Sequence, residues 1–338
     1  MKPLRIGIAG LGRMGRRHAE QLARRTRGAA LVAACSPVAD ERAWAQHELG
    51  LERVYDRYEA LVADAQLDAI VIATPSALHA EQTLAALEAG RHVFCEKPLA
   101  LDVATCEGVQ ALAARRPNQV AMVGFVRRFD PSCVQAKAEI DAGRLGRPFL
   151  VRSQTGDMND PSGFFVEFAR SSGGIFLDCS VHDIDLARWM LGAPRARRVY
   201  ATGSIVLHQG LAACGDVDNG IAVIEFEGGA TAVLYATRTL PHGHETTCEV
   251  IGTAGTVQIG MGAHRDRLQL RDAQGVHHRP VVDFVERFAE AFQHEMDAFV
   301  ATCRGERAPP LTLADATEAT RIGVAITRAL KSGKVESV

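Results

Sequence analysis

The 338-residue chain lacks a long hydrophobic run, paired cysteines and an excess of charge of either sign. Its first apolar segment, "LRIGIAG", is too short for a signal-peptide core or a membrane span. The eight cysteines are scattered singly without a C-x-x-C motif, so we expect reduced packing residues rather than a disulfide framework. A formal charge of −2 offers no field suited to nucleic acid or an anionic membrane. We therefore expect a soluble, cytoplasmic protein that binds neither.

The chain is long enough for two domains, because single hydrophobic cores stop growing at about 250–300 residues. Near the N-terminus, "LRIGIAGLGRMGRRHAEQLA" reads as an apolar strand, a G-x-G-x-x-G loop at Gly10, Gly12 and Gly15, and an amphipathic helix. A second strand, "ALVAAC", follows on schedule. This context predicts a dinucleotide-binding Rossmann domain, in which the pyrophosphate binds at the N-terminus of the first helix.

The end of the second strand bears on the choice of cofactor. An acidic residue is expected there when the ribose 2′-hydroxyl of NAD is bound, but this chain has Ser36. Arg13 and Arg42 could supply positive charge for a 2′-phosphate. We therefore predict a preference for NADP. NAD is the alternative, with Asp40 or Glu41 supplying the missing acid.

Two further apolar runs, "DAIVIAT" and "HVFCE", have the length and composition of parallel strands that are buried on both faces. A helix over residues 77–89 separates them, and "QVAMVGF" completes the domain near residue 124. Functional groups in such sheets cluster at the carboxyl ends of the strands. Thr74-Pro75-Ser76 with His79 and Glu96-Lys97-Pro98 occupy those positions, which makes Lys97 a candidate catalytic residue.

The second half predicts an antiparallel sheet that is followed by helices. Short runs rich in β-branched residues are joined at Gly228-Gly229 and at Ala254-Gly255, both of which are hairpin signals. Two segments with helical spacing follow and are separated by Pro309-Pro310.

The segment "GGIFLDCSVHDIDLARW" places polar residues on an unexpected side of a helix. Asp178, His182 and Asp185 fall within roughly 60° of one another, together with Trp189, and apolar residues flank them on both sides. We predict that this stripe points inward, whereas Ser180, Asp183 and Ala187 lie on the opposite, solvated side. Asp183 is therefore left out of the candidate site.

The stripe has the chemistry for oxidation of a secondary alcohol. His182 is the natural base, since its ordinary pKa is near neutrality. Asp178 would orient the imidazole, and Lys97 would hydrogen-bond the reacting oxygen in a relay with His182. A satisfied core histidine paired with Asp178 would produce the same helical pattern. No metal is expected, because the other histidines are too scattered to complete a three-ligand zinc site.

Taken together, "GIAGLGRMG", "ATPSALHAEQTLAALEAGRHVFCEKPLA", "VGFVRRFDP" and "SGGIFLDCSVHDIDLARWMLG" resemble the Gfo/Idh/MocA oxidoreductases, and the inositol 2-dehydrogenase branch in particular. The resemblance spans essentially the whole chain. It implies an N-terminal Rossmann domain over residues 1–124. Residues 125–338 would form an α+β domain with a large, mostly antiparallel open sheet for substrate binding and oligomerisation. Helices over about 285–332 would pack back on the first domain, and a homotetramer or dimer is usual for the family.

The predicted activity is NAD(P)-dependent oxidation of a cyclic polyol or sugar at CH–OH. NADPH-dependent reduction of a keto-sugar and a non-catalytic dinucleotide-binding regulator are the alternatives. The tract "LPHGHETTCEVIG" departs from the family's aromatic pattern, and this departure leaves the substrate open. The candidate catalytic residues are Lys97, Asp178 and His182. The candidate cofactor-binding residues are Gly10, Gly12, Arg13, Met14, Gly15, Ser36, Thr74, Pro75, His79, Glu96, Lys97 and Arg127. The candidate substrate-binding residues are Lys97, Arg127, Asp157, His182, Asp185 and His242.

Overall fold

The computed structural model describes residues 2–260 and 264–338 and divides them into two units. One unit comprises the chain up to Val126 together with Glu290–Thr320. The other comprises Arg127–Ala289 together with Arg321–Val338.

The first unit is built on a six-stranded parallel sheet with the strand order β3-β2-β1-β4-β5-β6. Its elements up to Val126 are β1 (Leu4–Ala9), α1 (Arg13–Arg24), β2 (Ala29–Cys35), α2 (Ala39–Leu49), β3 (Arg53–Tyr55), α3 (Tyr58–Val62), β4 (Ala69–Ile72), α4 (His79–Glu88), β5 (His92–Glu96), α5 (Val103–Ala114) and β6 (Ala121–Gly124). This order is that of a Rossmann domain, in which the ligand crevice lies outside the carboxyl ends of the strands. The predicted fold of the first half is confirmed.

The central strands are buried on both faces, as the continuous apolar runs predict. All four residues of β4 are buried, as are four of the five in β5. Helices α1 and α4 contact the sheet. The carboxyl ends of the strands are therefore held by a packed core, and this fixes the position of the loops that follow them.

The second unit is built on a seven-stranded sheet with the order β12-β11-β7-β10-β9-β8-β15. Its elements before the last helices are α6 (Pro131–Asp141), β7 (Pro148–Met158), α7 (Phe164–Ser172), α8 (Ile175–Asp178), α9 (Ser180–Met190), β8 (Ala196–Ser204), β9 (Asn219–Phe226), β10 (Thr231–Leu240), β11 (Glu245–Gly252), β12 (Thr256–Ile259), β13 (His264–Asp272), β14 (Gly275–Pro280) and α10 (Phe284–Arg287). Both predicted hairpins form, as the antiparallel pairs β9–β10 and β11–β12. The pair β7–β10 is parallel, so the sheet is mixed.

Two long helices and a short strand complete the chain: α11 (Ala289–Cys303), α12 (Leu313–Ser332) and β15 (Glu336–Ser337). Residues 313–320 of α12 belong to the first unit and its remainder to the second. Strand β15 pairs with β8 at the edge of the second sheet. Over the part of the chain that the structure describes, no helix is both long and apolar enough to cross a membrane.

Candidate active site

The glycine loop between β1 and α1 leaves space where a phosphate group would bind. A Cβ atom at Gly10 would collide with the Ala73 carbonyl, and one at Gly15 would collide with the Gly10 carbonyl. At Gly12, by contrast, a Cβ would have no neighbour closer than the Glu41 carboxylate, at 3.9 Å. Gly10 and Gly15 are therefore required for close backbone packing, whereas Gly12 faces open space.

Helix α1 begins at this open space. The N-cap residue, Gly12, has no side chain that could cap the helix, and the first turn of α1 contains no acidic residue. The N–H groups of such a turn, with the helix dipole, favour an anion. Gly12 and Arg13 are exposed and Met14 is half-buried. The loop therefore fits the pyrophosphate of a dinucleotide.

The end of β2 differs from the prediction for a 2′-phosphate site. The Ser36 side chain is buried, and its hydroxyl donates to Oε2 of Glu41 at 2.5 Å. Arg42 donates to the Ser36 carbonyl at 2.8 Å. The Glu41 carboxylate, in the first turn of α2, thus lies beside the glycine loop. It takes the place of the acidic residue that is missing at the end of the strand. The sequence alternative in which Glu41 supplies the acid has direct geometric support.

Two loops lie at the carboxyl ends of the neighbouring strands β4 and β5. Thr74 follows β4 and donates to the Gln82 side chain at 2.6 Å. Lys97 follows β5, is half-buried and precedes a cis peptide bond to Pro98. His79, a candidate cofactor ligand, is instead buried, with both ring nitrogens against backbone carbonyls.

Glu96 lies in a cluster of titratable side chains that sequence reasoning missed. Its Oε1 is 2.6 Å from Nε2 of His18, and its Oε2 accepts the Lys97 N–H at 3.1 Å. Glu295 of α11 joins them, and the ligand-type atoms of the three residues lie within 4.8 Å of one another. His18 and Glu295 are fully buried. No local pattern connects α11 with the glycine loop, so the sequence carries no signal for this cluster.

The two carboxyl groups of the cluster have opposite pKa shifts. Burial by itself raises the pKa of Glu96. The hydrogen bond with His18 and the positive charges of the neighbouring basic side chains outweigh burial and lower the pKa. Burial and the neighbouring Glu96 charge raise the pKa of Glu295 well above its ordinary value. Within the cluster, Glu96 is therefore the carboxyl group that ionises more readily, and Glu295 is the one that keeps its proton to higher pH.

In the second unit, α8 and α9 expose one narrow stripe. Between residues 175 and 190, Asp178, His182 and Trp189 are half-buried and every other residue is buried. This is the predicted stripe without Asp185. An aspartate and a histidine one turn apart are therefore the accessible polar groups of an otherwise enclosed helix.

The prediction that Ser180, Asp183 and Ala187 are solvated is wrong. All three have no exposed surface, because this side of α9 packs against β7. The Asp183 carboxylate accepts hydrogen bonds from Ser153 at 2.5 Å and from Thr155 at 2.6 Å. The helical wheel correctly placed Asp183 on the side of the helix opposite to the stripe, but it could not show that a sheet covers that side.

Arg127 is the charged partner of Asp183. Its guanidinium donates to Asp183 at 2.6 Å and to the Thr155 hydroxyl at 2.5 Å, and its side chain is buried. Arg128 makes the equivalent contact with Asp185, through two parallel hydrogen bonds of 2.7 and 2.8 Å. These bonds engage both oxygens of Asp185. Two ion pairs therefore anchor α9, and they include Arg127 and Asp185, which were predicted as ligand contacts.

Asp178 is held by a buried arginine from β10. Arg238 has no exposed surface and donates to Asp178 at 3.2 Å and to Asp216 at 3.1 Å. Asp216 also accepts the Ile175 N–H at 2.9 Å, which caps the first turn of α8. Gly174 has a φ of +85° and lies close to this carboxylate, so a larger residue would be strained there. The position of Asp178 is thus fixed both by the capped helix α8 and by the ion pair with Arg238.

A second carboxylate lies beside Asp178. Asp157 on β7 contacts the Cys179 thiol at 3.7 Å, the same distance at which the thiol contacts Asp178. The other Asp157 oxygen is 3.0 Å from Nδ1 of the buried His244, whose Nε2 contacts Thr246 at 2.7 Å. His242, the predicted substrate ligand of this tract, is instead half-exposed and lies 3.4 Å from Glu245.

The order of these parts matches two family profiles. Residues 4–125 match the oxidoreductase family with an NAD-binding Rossmann fold, and residues 133–258 match the Gfo/Idh/MocA C-terminal domain. The scyllo-inositol 2-dehydrogenase (NAD(+)) of Bacillus subtilis is 37% identical over 98% of this chain and 95% of its own length. The chain belongs to the Gfo/Idh/MocA family. The predicted family and reaction class are confirmed.

Other relatives of this Gfo/Idh/MocA oxidoreductase are similar over nearly their whole length. The myo-inositol 2-dehydrogenase of Thermotoga maritima is 31% identical over 99% of both chains. The crystal structure of scyllo-inositol dehydrogenase from Lactobacillus casei with bound NAD(H) and scyllo-inositol has a TM-score of 0.95 and 36% identity, and covers 99% of each chain.

Proposed function

We propose that this protein oxidises a secondary alcohol of an inositol or a closely related cyclic polyol, with NAD as the hydride acceptor. The observation that carries the proposal is the half-buried pair Asp178 and His182 on the otherwise buried helices α8 and α9. The relatives named for scyllo- and myo-inositol dehydrogenation support the substrate class. The predicted division of labour, with residues 1–124 for the cofactor and 125–338 for the substrate, is part of the proposal.

His182 is proposed to remove the hydroxyl proton, because an imidazole has an ordinary pKa near neutrality. Asp178 stabilises the charged ring, and Arg238 holds Asp178 in place. Lys97 is proposed to hydrogen-bond the reacting oxygen and to share its proton with His182. The nicotinamide, when bound, supplies the hydride acceptor.

Asp157 is proposed to bind a neighbouring hydroxyl of the substrate. Its carboxylate is partly exposed beside Asp178, and His244 fixes its orientation. The hydrogen bonds of Arg127 and Asp185 within the protein favour supporting roles for both, although a ligand contact for each remains a prediction. A contact between the substrate and His242, two residues before His244, remains a prediction.

We infer NAD rather than NADP from Glu41. A carboxylate at the ribose end accepts a hydrogen bond from the 2′-hydroxyl and repels a 2′-phosphate. The NAD(H) in the Lactobacillus casei structure supports the same choice. A homotetramer or dimer and a cytoplasmic location remain predictions. The eight free cysteines are in keeping with a reducing compartment.

The test is a spectrophotometric screen of inositol stereoisomers and sugars with both cofactors, on the wild type and on His182→Ala. We expect turnover of at least one inositol and a loss of about 10²–10⁴-fold in kcat for the variant, with the KM for the cofactor nearly unchanged. His277→Ala, which changes an exposed histidine of β14, is the matched control. Turnover of His182→Ala within twofold of the control would contradict the assignment.

A further inference from the structure

His79 occupies an environment that dictates its protonation state. The residue begins α4 and is only 1% exposed. Its Nδ1 lies 2.7 Å from the Pro98 carbonyl oxygen, and its Nε2 lies 2.8 Å from the Thr74 carbonyl oxygen. A carbonyl oxygen can only accept a hydrogen bond, so each ring nitrogen must donate. A neutral imidazole carries a single N–H, whereas an imidazolium carries two.

We propose that His79 is a buried imidazolium and the positioning residue that ties the loop after β4 to the catalytic lysine segment after β5. Thr74 and Pro98 lie at the carboxyl ends of these two adjacent strands. Pro98 directly follows Lys97, so the bond to its carbonyl restrains the backbone that carries the Lys97 side chain. The positioning role rests on the proposed function, whereas the charge state of His79 does not.

The charged surroundings of His79 favour the cation. Burial by itself lowers the pKa of His79, but the Cys95 side chain and the two carbonyl hydrogen bonds outweigh burial and raise the pKa to about 9. Within the described residues, Cys95 and Glu96 of β5 are the titratable neighbours that interact with the ring; the Cys95 thiol donates to the Glu96 carbonyl and is uncharged, so the negative charge comes from Glu96. The interaction with Glu96 is also attractive, since the His79 charge lowers the pKa of that carboxyl group.

Two amide substitutions separate the two hydrogen bonds. Asparagine keeps a donor near the position of Nδ1, which contacts Pro98, whereas glutamine keeps one near Nε2, which contacts Thr74. We expect His79→Gln to lower kcat by at least tenfold, because the Lys97 segment loses its restraint. His79→Asn keeps the contact with Pro98 and loses the one with Thr74. We therefore expect kcat to stay within about threefold of the wild type and the KM for the cofactor to rise.

The decisive experiment is nitrogen NMR on the histidine-labelled full-length protein. The signals of His79 are assigned by their loss in the His79→Gln and His79→Asn variants, with His47→Gln, which changes an exposed histidine of α2, as the control. We expect both ring nitrogens to be protonated at pH 7.5 and to titrate near pH 9. A neutral tautomer at pH 7.5 would overturn the charge assignment.

The kinetic measurements decide the second half of the proposal. Equal kcat and KM values for the asparagine and glutamine variants would overturn the positioning role, as would wild-type kinetics for both. If the wild type turned over no polyol while NMR showed the imidazolium, the proposed function would fail and the charge assignment would stand. If one variant did not fold, the other would still assign the His79 signals, and the wild-type titration would then decide the charge state.

Discussion

At the scale of single residues, one carboxylate outside the expected position changes the inferred cofactor. Ser36 directly follows the strand β2, but the acid comes from the first turn of the helix α2, and the serine hydroxyl holds it in place. A motif search that inspects the end of the strand therefore misses it. The side chain that matters is five residues further on.

Replacing Glu41 with alanine is expected to shift the cofactor preference. A charge-assisted hydrogen bond contributes about 1.5–3 kcal/mol, so kcat/KM for NAD should fall by about 10- to 100-fold. The same quantity for NADP should rise, because the repulsion of the 2′-phosphate is removed. Initial rates with each cofactor measure both effects, and Asp40→Ala on the same exposed turn is the control. An unchanged ratio of the two kcat/KM values would refute the role of Glu41.

At the scale of the helix, α9 is stabilised by buried ion pairs on two sides and leaves one stripe accessible. Asp183 with Arg127 and Asp185 with Arg128 lie within the protein. Burial of charge is tolerated because hydroxyl groups of β7 complete the hydrogen bonds of Asp183. The helix α9 can therefore hold His182 at a fixed position, while Arg238 holds Asp178 at the end of α8.

Removing the Asp183 carboxylate should destabilise the protein strongly. In Asp183→Ala the Arg127 guanidinium stays buried without its anion, which costs about 3–5 kcal/mol in comparable pairs. Urea unfolding of the variant and the wild type gives the difference. The control, Asp141→Ala, removes an exposed partner of Lys137 and should leave stability almost unchanged. Equal urea midpoints for the two variants would show that the buried pair contributes nothing.

At the scale of the whole molecule, the ionisation of Glu295 makes the free energy of unfolding depend on pH. Its pKa is near 4.5 in the unfolded chain and is raised well above this in the folded protein. Between the two values the folded state binds more protons than the unfolded state, so stability falls as the pH rises. The slope is about 1.4 kcal/mol per pH unit for one proton.

Glu295→Gln should remove this dependence, because the amide is neutral at every pH. We expect the melting temperature of the variant to exceed that of the wild type by an amount that grows as the pH rises above the ordinary glutamate pKa of 4.5. Calorimetry at several pH values measures it. Glu290→Gln, an exposed position on the same helix, should run parallel to the wild type. Parallel curves for Glu295→Gln as well would mean that this carboxyl group is ionised in the folded protein.

The sequence predicted those features that depend on local pattern. Buried parallel strands, the glycine loop and both hairpins follow from residues close in the chain, and all of them form. Helical spacing also grouped Asp178 with His182, but it predicted that this stripe points inward, whereas the structure makes it the accessible side of otherwise buried helices. The surroundings of Asp183 and the contact of Glu295 with Glu96 could not be predicted, because they depend on strands and helices that are far away in the sequence. A helical wheel gives the direction of a side chain and says nothing of what covers it.

The division of the first unit into two stretches of chain has a consequence for biosynthesis. Phe94 packs against Phe299, Thr26 against Gln293, and Gln110 against Thr317, so residues 290–320 complete a core begun before residue 126. A ribosome releases the glycine loop long before it makes α11. Until α11 has been synthesised, Phe94 and Glu96 of the nascent first unit lack the partners that cover them in the folded protein, and apolar surface exposed in this way is what chaperones bind.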